Sequence, residues 1–327
     1  MLDIITFQEA INRSEGRDKS LLMGNGFSIE HFSYSNLLDE AGIEDGMPLK
    51  ALFNELDTYD FETVIRALED AVIVTNAYDH NKQSVHYQTQ ANQLREALVH
   101  AVRSTHPNHR ADIEEKIPSC LRFLKNFNTL YTLNYDLLLY WVQLQSREFS
   151  DGFGLGDEER GFIGPFKEGA YCTTYNLHGG LHLFKKIDGE IEKKLMGVSG
   201  IIDAIASAIT RGRRLPVYIA EGTSPKKMGK INSIPYLRHA YDTLSKSTGD
   251  FFVFGHSGDQ NDEHIYRAIF RSEIDHLYFC IHQPSADIAA INGELARYKR
   301  RFGSNIEYTF VCSESANVWN SVEEEER

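Results

Sequence analysis

Lys19-Ser20-Leu21-Leu22-Met23-Gly24-Asn25-Gly26-Phe27-Ser28 is the stretch on which the fold of this chain turns. A short apolar run breaks without warning into two glycines separated by one residue. Runs of this length, bounded by turn-formers, mark strands buried on both faces. The helical spacing of Thr6 to Arg13 precedes it, so a helix, a strand and a glycine turn open the chain in that order.

Outward from this stretch the pattern divides. From Phe61 to Val102 apolar residues (Val64, Ile65, Leu68, Leu94, Leu98) recur at helical intervals, and Ile113 to Phe127 continues them. Beyond it, strands at 128–133, 173–177, 216–220, 251–254, 277–281 and 306–311 alternate with helices starting at Asp136, Ile201, Tyr236, Glu263 and Ala286. Leu181 to Met196 reads as a hairpin turning at Asp188-Gly189. Strands alternating with helices imply crossover units and a doubly wound parallel sheet, a Rossmann-like α/β fold. The expected organisation is one domain over 1–327, with a helical insertion or subdomain at about 30–127 and a small hairpin insertion at about 181–197.

In such sheets ligands bind beyond the carboxyl ends of the strands. Four of the strands end in residues costly as loop filler: Gly24 to Ser28, Asn134-Tyr135-Asp136, His178-Gly179-Gly180, and Gly255 to Asp262. Gly24 and Gly26 let main-chain N–H groups approach a pyrophosphate, with Asn25, Phe27 and the Ser28 hydroxyl beside them. The same residues make a tight strand-to-helix turn, and the third glycine of the full dinucleotide fingerprint is absent. Asp136 reads as a helix cap or as a site carboxylate, and Asn134 as a turn residue or as a site amide. His178, between an apolar strand and two glycines, is a core histidine or a proton carrier. In the last loop, Gly255, Ser257, Asp259 and Asp262 are either a polar turn ending in a cap or the contacts of a ribose. Glu221 to Lys227 reads as an exposed flexible loop.

Composition bounds the function. Hydrophobic residues at 42% and charged residues at 25% give an ordinary globular chain with material for a core. A net charge of −13 argues against a nucleic-acid surface. No apolar run reaches membrane-spanning length, and Asp3 stands where a signal peptide needs basic residues, so a cytoplasmic protein is expected. The four cysteines, Cys120, Cys172, Cys280 and Cys312, form no close pairs, so no zinc is expected and no other metal site is read.

Taken in order, Gly-Asn-Gly-Phe-Ser, Thr-Leu-Asn-Tyr-Asp, Leu-His-Gly and Phe-Gly-His-Ser-Gly-Asp-x-x-Asp resemble the sirtuin-like superfamily, most of all bacterial sirtuin-like proteins of anti-phage defence. The resemblance runs from Leu21 to about Ile265. It implies an NAD⁺-binding Rossmann-like domain with Gly24, Gly26 and Ser28 on the cofactor, Asn134 and Asp136 near the nicotinamide ribose, and His178 in the catalytic position. The absent cysteine pairs and Gly-Asn-Gly in place of Gly-Ala-Gly depart from the deacylating members.

The function this implies is an NAD⁺ glycohydrolase releasing nicotinamide and ADP-ribose, with NAD⁺ as substrate and a role in anti-phage defence. Asn134 would orient water, Asp136 would stabilise developing positive charge, and His178 would accept a proton. Control of such an activity calls for a homo-oligomer or a defence-system partner such as an ATPase or nuclease. The rival expectations are ADP-ribosyl transfer or deacylation, and a non-enzymatic NAD⁺ or ADP-ribose sensor.

Overall fold

The structure, a computed structural model, describes residues 4–32, 41–43, 47–58, 60–78, 83–107, 109–153, 172–186, 189–194, 200–219, 222–282 and 287–320. The chain opens with β1 (Ile4–Ile5), α1 (Phe7–Arg13) and β2 (Lys19–Met23). The region up to β3 contributes α2 (Pro48–Glu55), α3 (Phe61–Tyr78), α4 (Gln83–Thr105) and α5 (Ile117–Leu124), so its helical periodicity is realised as helices. Then follow β3 (Thr129–Thr132), α6 (Leu138–Gln143), β4 (Phe149–Ser150), β5 (Cys172–Asn176), β6 (Gly179–Lys185) and β7 (Ile191–Lys193). The remainder is α7 (Ile201–Thr210), β8 (Pro216–Tyr218), α8 (Ser224–Ser233), α9 (Pro235–Leu244), β9 (Thr248–Phe254), α10 (Glu263–Ile269), β10 (Glu273–Ile281), α11 (Ile288–Phe302) and β11 (Glu307–Cys312).

The main sheet has eight strands in the order β1-β11-β10-β9-β2-β3-β5-β4, and every neighbouring pair is parallel. From β2 the chain winds outward through β3 and β5, then returns across β2 to β9, β10 and β11. This is a doubly wound, Rossmann-like sheet whose direction of winding switches between β2 and β9.

Alternation along the strands explains the two-sided burial. Leu21, Met23, Phe252, Phe254, Tyr278 and Cys280 enter the core that also holds Leu94 and Leu98 of α4. Their neighbours Leu22, Phe251, Val253, Leu277 and Phe279 enter the opposite core, built with α9, α10 and α11. A strand covered on both faces reads as a continuous apolar run, which is why the central strands were visible in sequence.

The segment expected as a strand at 216–220 does not join this sheet. β8 pairs antiparallel with β6, and with β7 they form a separate sheet in the order β7-β6-β8. Gly179 is the physical cause of the diversion. Its φ is +74°, and a Cβ there would lie 2.1 Å from the Val217 carbonyl oxygen, so the chain turns away from β5 and meets β8 backbone to backbone. The hairpin between β6 and β7 is present, whereas Asp188 and Met196 lie outside the described residues. Among the described residues no helix is long and apolar enough to cross a membrane.

Candidate functional site

At the switch point the loops after β2 and β9 are packed backbone against backbone. Gly255 has a φ of +68°, and a Cβ on Gly26 would sit 2.7 Å from Gly255 Cα. A Cβ on Gly24 would sit 2.7 Å from the Gly255 oxygen and 2.9 Å from the His256 ring. The amides of this turn are already engaged: Gly24 N–H donates to Phe254 O, Gly26 N–H to Gly255 O, Phe27 N–H to Gly24 O and Ser28 N–H to Asn25 O. The glycines therefore serve loop-to-loop contact, and four amides expected to approach a pyrophosphate are spent inside the protein. Phe27 and Ser28 are buried, while Asn25 and Gly26 are exposed.

Gly26 does face a cleft. A cavity of about 1100 Å³ lies over the carboxyl ends of β9, β10 and β11, bordered by Gly26, Gly255, Ser257, Asp259, His282 and Trp319 among others. Asp259 is exposed and caps a single 3₁₀ turn, its Oδ1 accepting from Asn261 N–H at 2.7 Å.

Asn134 lies on the other side of the switch and is buried. Its Nδ2 donates to Gly24 O at 3.0 Å and to Ser28 Oγ at 3.1 Å, and its backbone N–H to Thr132 Oγ1 at 3.0 Å. With both amide hydrogens so directed, Oδ1 is turned away, and it is buried without a hydrogen-bond partner. Asp136 is also buried, and its Oδ1 accepts from Leu138 N–H at 2.8 Å, but it stands one position before the N-cap, which is Leu137 and carries no side-chain cap. The helix starts at Leu138, two residues later than the sequence pattern indicates. Asn134 and Asp136 line one small pocket of about 10 Å³ with Thr132, Asn176 and His182. His182 is buried against Tyr140, with stacked ring centroids 5.1 Å apart, and its Nδ1 likewise has no partner. Burial lowers the His182 imidazole to about 4, leaving it neutral at neutral pH.

His178 belongs to a different set of contacts. Its Nε2 lies 3.2 Å from His264 Nε2 and 3.8 Å from Asp262 Oδ1. Asp262 Oδ1 also accepts from Lys227 Nζ at 2.7 Å, and its Oδ2 faces His256 Nε2 at 3.2 Å. His256 Nδ1 accepts Gly258 N–H at 2.9 Å, which leaves the ring proton on Nε2 to donate to Asp262. Ser224 Oγ accepts His264 N–H at 2.9 Å and stands 3.1 Å from His264 Nδ1. Burial pushes His178 well below the ordinary imidazole value, against the opposing pull of Asp262. Burial likewise lowers His264, to about 4. For Asp262, burial alone would raise the carboxyl, but the His256 hydrogen bond and the neighbouring positive charge hold it well below its usual range.

The structure thus joins Asn134, Asp136, Gly24 and Ser28 on one side, and His178 with Asp262 on the other. Asp262 occupies the N-cap position of α10, as the sequence reading had it, but its side chain makes no cap bond and sits instead at the centre of a partly buried ion network. The sequence reading named no site role for His256, His264, Ser224 or Lys227. Ser224 to Lys227, expected as a loop, is the first turn of α8, and Lys227 is buried. The signal was present: proline at the second position of Ser224-Pro225 is favoured at a helix start, where its missing N–H costs nothing.

A family model described as a domain of unknown function, DUF4917, matches residues 21–319. No curated relative matches the chain. Among solved structures, a Sir2 homologue in complex with NAD has a TM-score of 0.38 at 10% identity, covering 92% of this chain and 97% of its own. A Sir2 protein with a deacetylated peptide and 3′-O-acetyl ADP-ribose has a TM-score of 0.38 at 11% identity, covering 96% of this chain and 97% of its own.

Proposed function

The chain belongs to the DUF4917 family, a domain of unknown function, and from its own site we propose that it is an NAD⁺ glycohydrolase. The observation that carries this reading is the small pocket of about 10 Å³ beside the switch point, lined by Asn134 and His182, two residues that each hold a buried polar atom without a partner, Asn134 Oδ1 and His182 Nδ1. That volume is about one water, and buried polar atoms without partners call for one. A water held there accepts orientation from Asn134, whose amide is fixed by Gly24 and Ser28. Its oxygen attacks C1′ of the nicotinamide ribose. The C1′–N bond breaks with its electron pair leaving on nicotinamide, and ADP-ribose is the other product. The Asp136 carboxylate, lining the same pocket, stabilises the positive charge developing on the ribose. His182 takes the water proton in this scheme, replacing His178, whose Nε2 faces His264. The adenosine half of NAD⁺ is assigned to the cleft of about 1100 Å³ next to Gly26. A role in anti-phage defence, with a homo-oligomer or a partner ATPase or nuclease controlling access, belongs to the same proposal.

A second reading has its own support. The cleft of about 1100 Å³ next to Gly26 has room for a nucleotide away from the Asn134 pocket, which suits a protein that binds NAD⁺ or ADP-ribose without turnover. Purified protein incubated with NAD⁺ separates the two by chromatographic nicotinamide release and by the thermal shift. Release supports the hydrolase, stabilisation without release supports the sensor, and neither effect removes both.

A further inference from the structure

We propose that His178, His264 and Asp262 form a binding site for a divalent transition ion, and that the Lys227 ammonium is the cation it displaces. The proposal stands apart from the hydrolase reading, because none of its residues lines the Asn134 pocket.

One nitrogen from each histidine and one oxygen of Asp262 lie within 4.8 Å of one another. The two Nε2 atoms are 3.2 Å apart. Metal–nitrogen bonds of about 2.0–2.1 Å at a tetrahedral angle separate two ligands by roughly 3.3 Å, so the pair already stands near ligand spacing. Two imidazoles and a carboxylate suit zinc and its neighbours in the first transition row. The expectation of no zinc was drawn from absent cysteine pairs, and this donor set contains no cysteine.

The surroundings are those of an oriented ligand set. Ser224 Oγ stands 3.1 Å from His264 Nδ1, so it can take the Nδ1 proton and leave Nε2 bare. His256 holds Asp262 Oδ2, leaving Oδ1 as the ligand oxygen. Such outer contacts orient metal-binding imidazoles and carboxylates. At present Oδ1 is held by Lys227 Nζ at 2.7 Å, so a cation already occupies the position the ion would claim. Lys227 also lines a cleft of about 580 Å³ between α3 and α8, which gives the displaced ammonium a wet destination. Binding requires the proton between the two Nε2 atoms to move to a ring Nδ1, so that both Nε2 lone pairs face the ion.

The test uses the full chain and Zn²⁺ alone, measured by equilibrium dialysis with elemental analysis and by titration calorimetry. One ion per chain is expected. His264→Ala should lose more affinity than the roughly 10- to 100-fold that an outer contact costs. Lys227→Met is the decisive variant, because it removes the competing charge and keeps the aliphatic stem. It should bind Zn²⁺ at least about tenfold more tightly, whereas a purely structural Lys227–Asp262 pair would leave Zn²⁺ binding unchanged or lost. Circular dichroism confirms the fold of each variant, and His264→Gln replaces His264→Ala if the latter does not fold. No stoichiometric binding by wild type, or equal binding by the His264 variant, overturns the proposal.

Discussion

The polar groups around Asn134 and those around His178 are comparably buried, yet they are finished to different degrees. Around His178 the charges balance, Lys227 against Asp262, and no atom of His178, His256, Asp262, His264 or Lys227 is a buried polar atom without a partner. Around Asn134, two buried atoms, Asn134 Oδ1 and His182 Nδ1, have none. A buried polar atom left unpaired costs about 1–3 kcal/mol, a cost a folded chain carries where something binds. The contrast teaches that the histidine in the motif position is hydrogen-bonded, whereas the asparagine side keeps two buried polar atoms without partners.

The largest effect that would break this comparison is on turnover. Asn134→Ala removes the water-orienting oxygen and should lower nicotinamide release by about 100-fold or more. His178→Gln, which replaces a group outside that pocket, should lower it far less. If the two losses are equal, the catalytic division between the clusters fails. Single-turnover assays at saturating NAD⁺ read this directly.

Next in size is the contact that joins the two regions. Gly26→Val places a branched side chain where Gly255 Cα lies 2.7 Å from the Cβ position. The packing predicts both lost NAD⁺ binding and a stability loss of about 1–3 kcal/mol, from forced separation of the loops. Urea unfolding measures it, and an unchanged midpoint would show that the loops part freely.

A pH effect should appear in both clusters. His182 and His264 are each lowered by burial to about 4. Between pH 6.5 and 4 the unfolded chain binds protons that the folded one refuses. Stability from these groups is therefore complete above pH 6.5 and falls as pH drops toward 4. One unit below pH 6.5 the loss is about 1 kcal/mol per histidine. Urea midpoints should fall from pH 7 to 5, and His182→Gln or His264→Gln should each flatten the slope. A slope unchanged by one of them would locate the buried neutral histidine elsewhere.

The legible part of the fold was the part dictated by local pattern. Leu21 to Met23 and Phe251 to Phe254 announced buried strands because both of their faces are covered. Asp136 announced a cap, and its carboxylate does hold the first helical amide, Leu138 N–H, from one position before the N-cap Leu137. Partner choice was illegible: nothing local in Pro216 to Tyr218 says that these residues pair with β6 and leave the main sheet. The site divides the same way. Strand ends marked Asn134 and His178, but whether Asn134 keeps a free oxygen depends on Gly24, 110 positions away. His264 meets His178 across 86 positions, on a helix whose own pattern shows only an apolar face.

The smallest expected effect tests whether the His178 side is as finished as its hydrogen bonds indicate. Ser224 Oγ accepts the His264 backbone N–H at 2.9 Å and faces the ring Nδ1 at 3.1 Å, so one hydroxyl serves both ends of the same residue. Ser224→Ala removes that hydroxyl without touching the core. Ser224 is only partly buried, so water can replace part of what is lost. The expected cost is about 1 kcal/mol, the ordinary net worth of a hydrogen bond. Nicotinamide release should stay within about twofold of wild type, because the serine and the water pocket have no contact in common. The imidazole, freed from its Nδ1 partner, should show exchange between tautomers in ¹⁵N spectra. A stability loss of several kcal/mol would mean that Ser224 holds the whole cluster together. A loss of turnover instead would mean that the two sides act as one site.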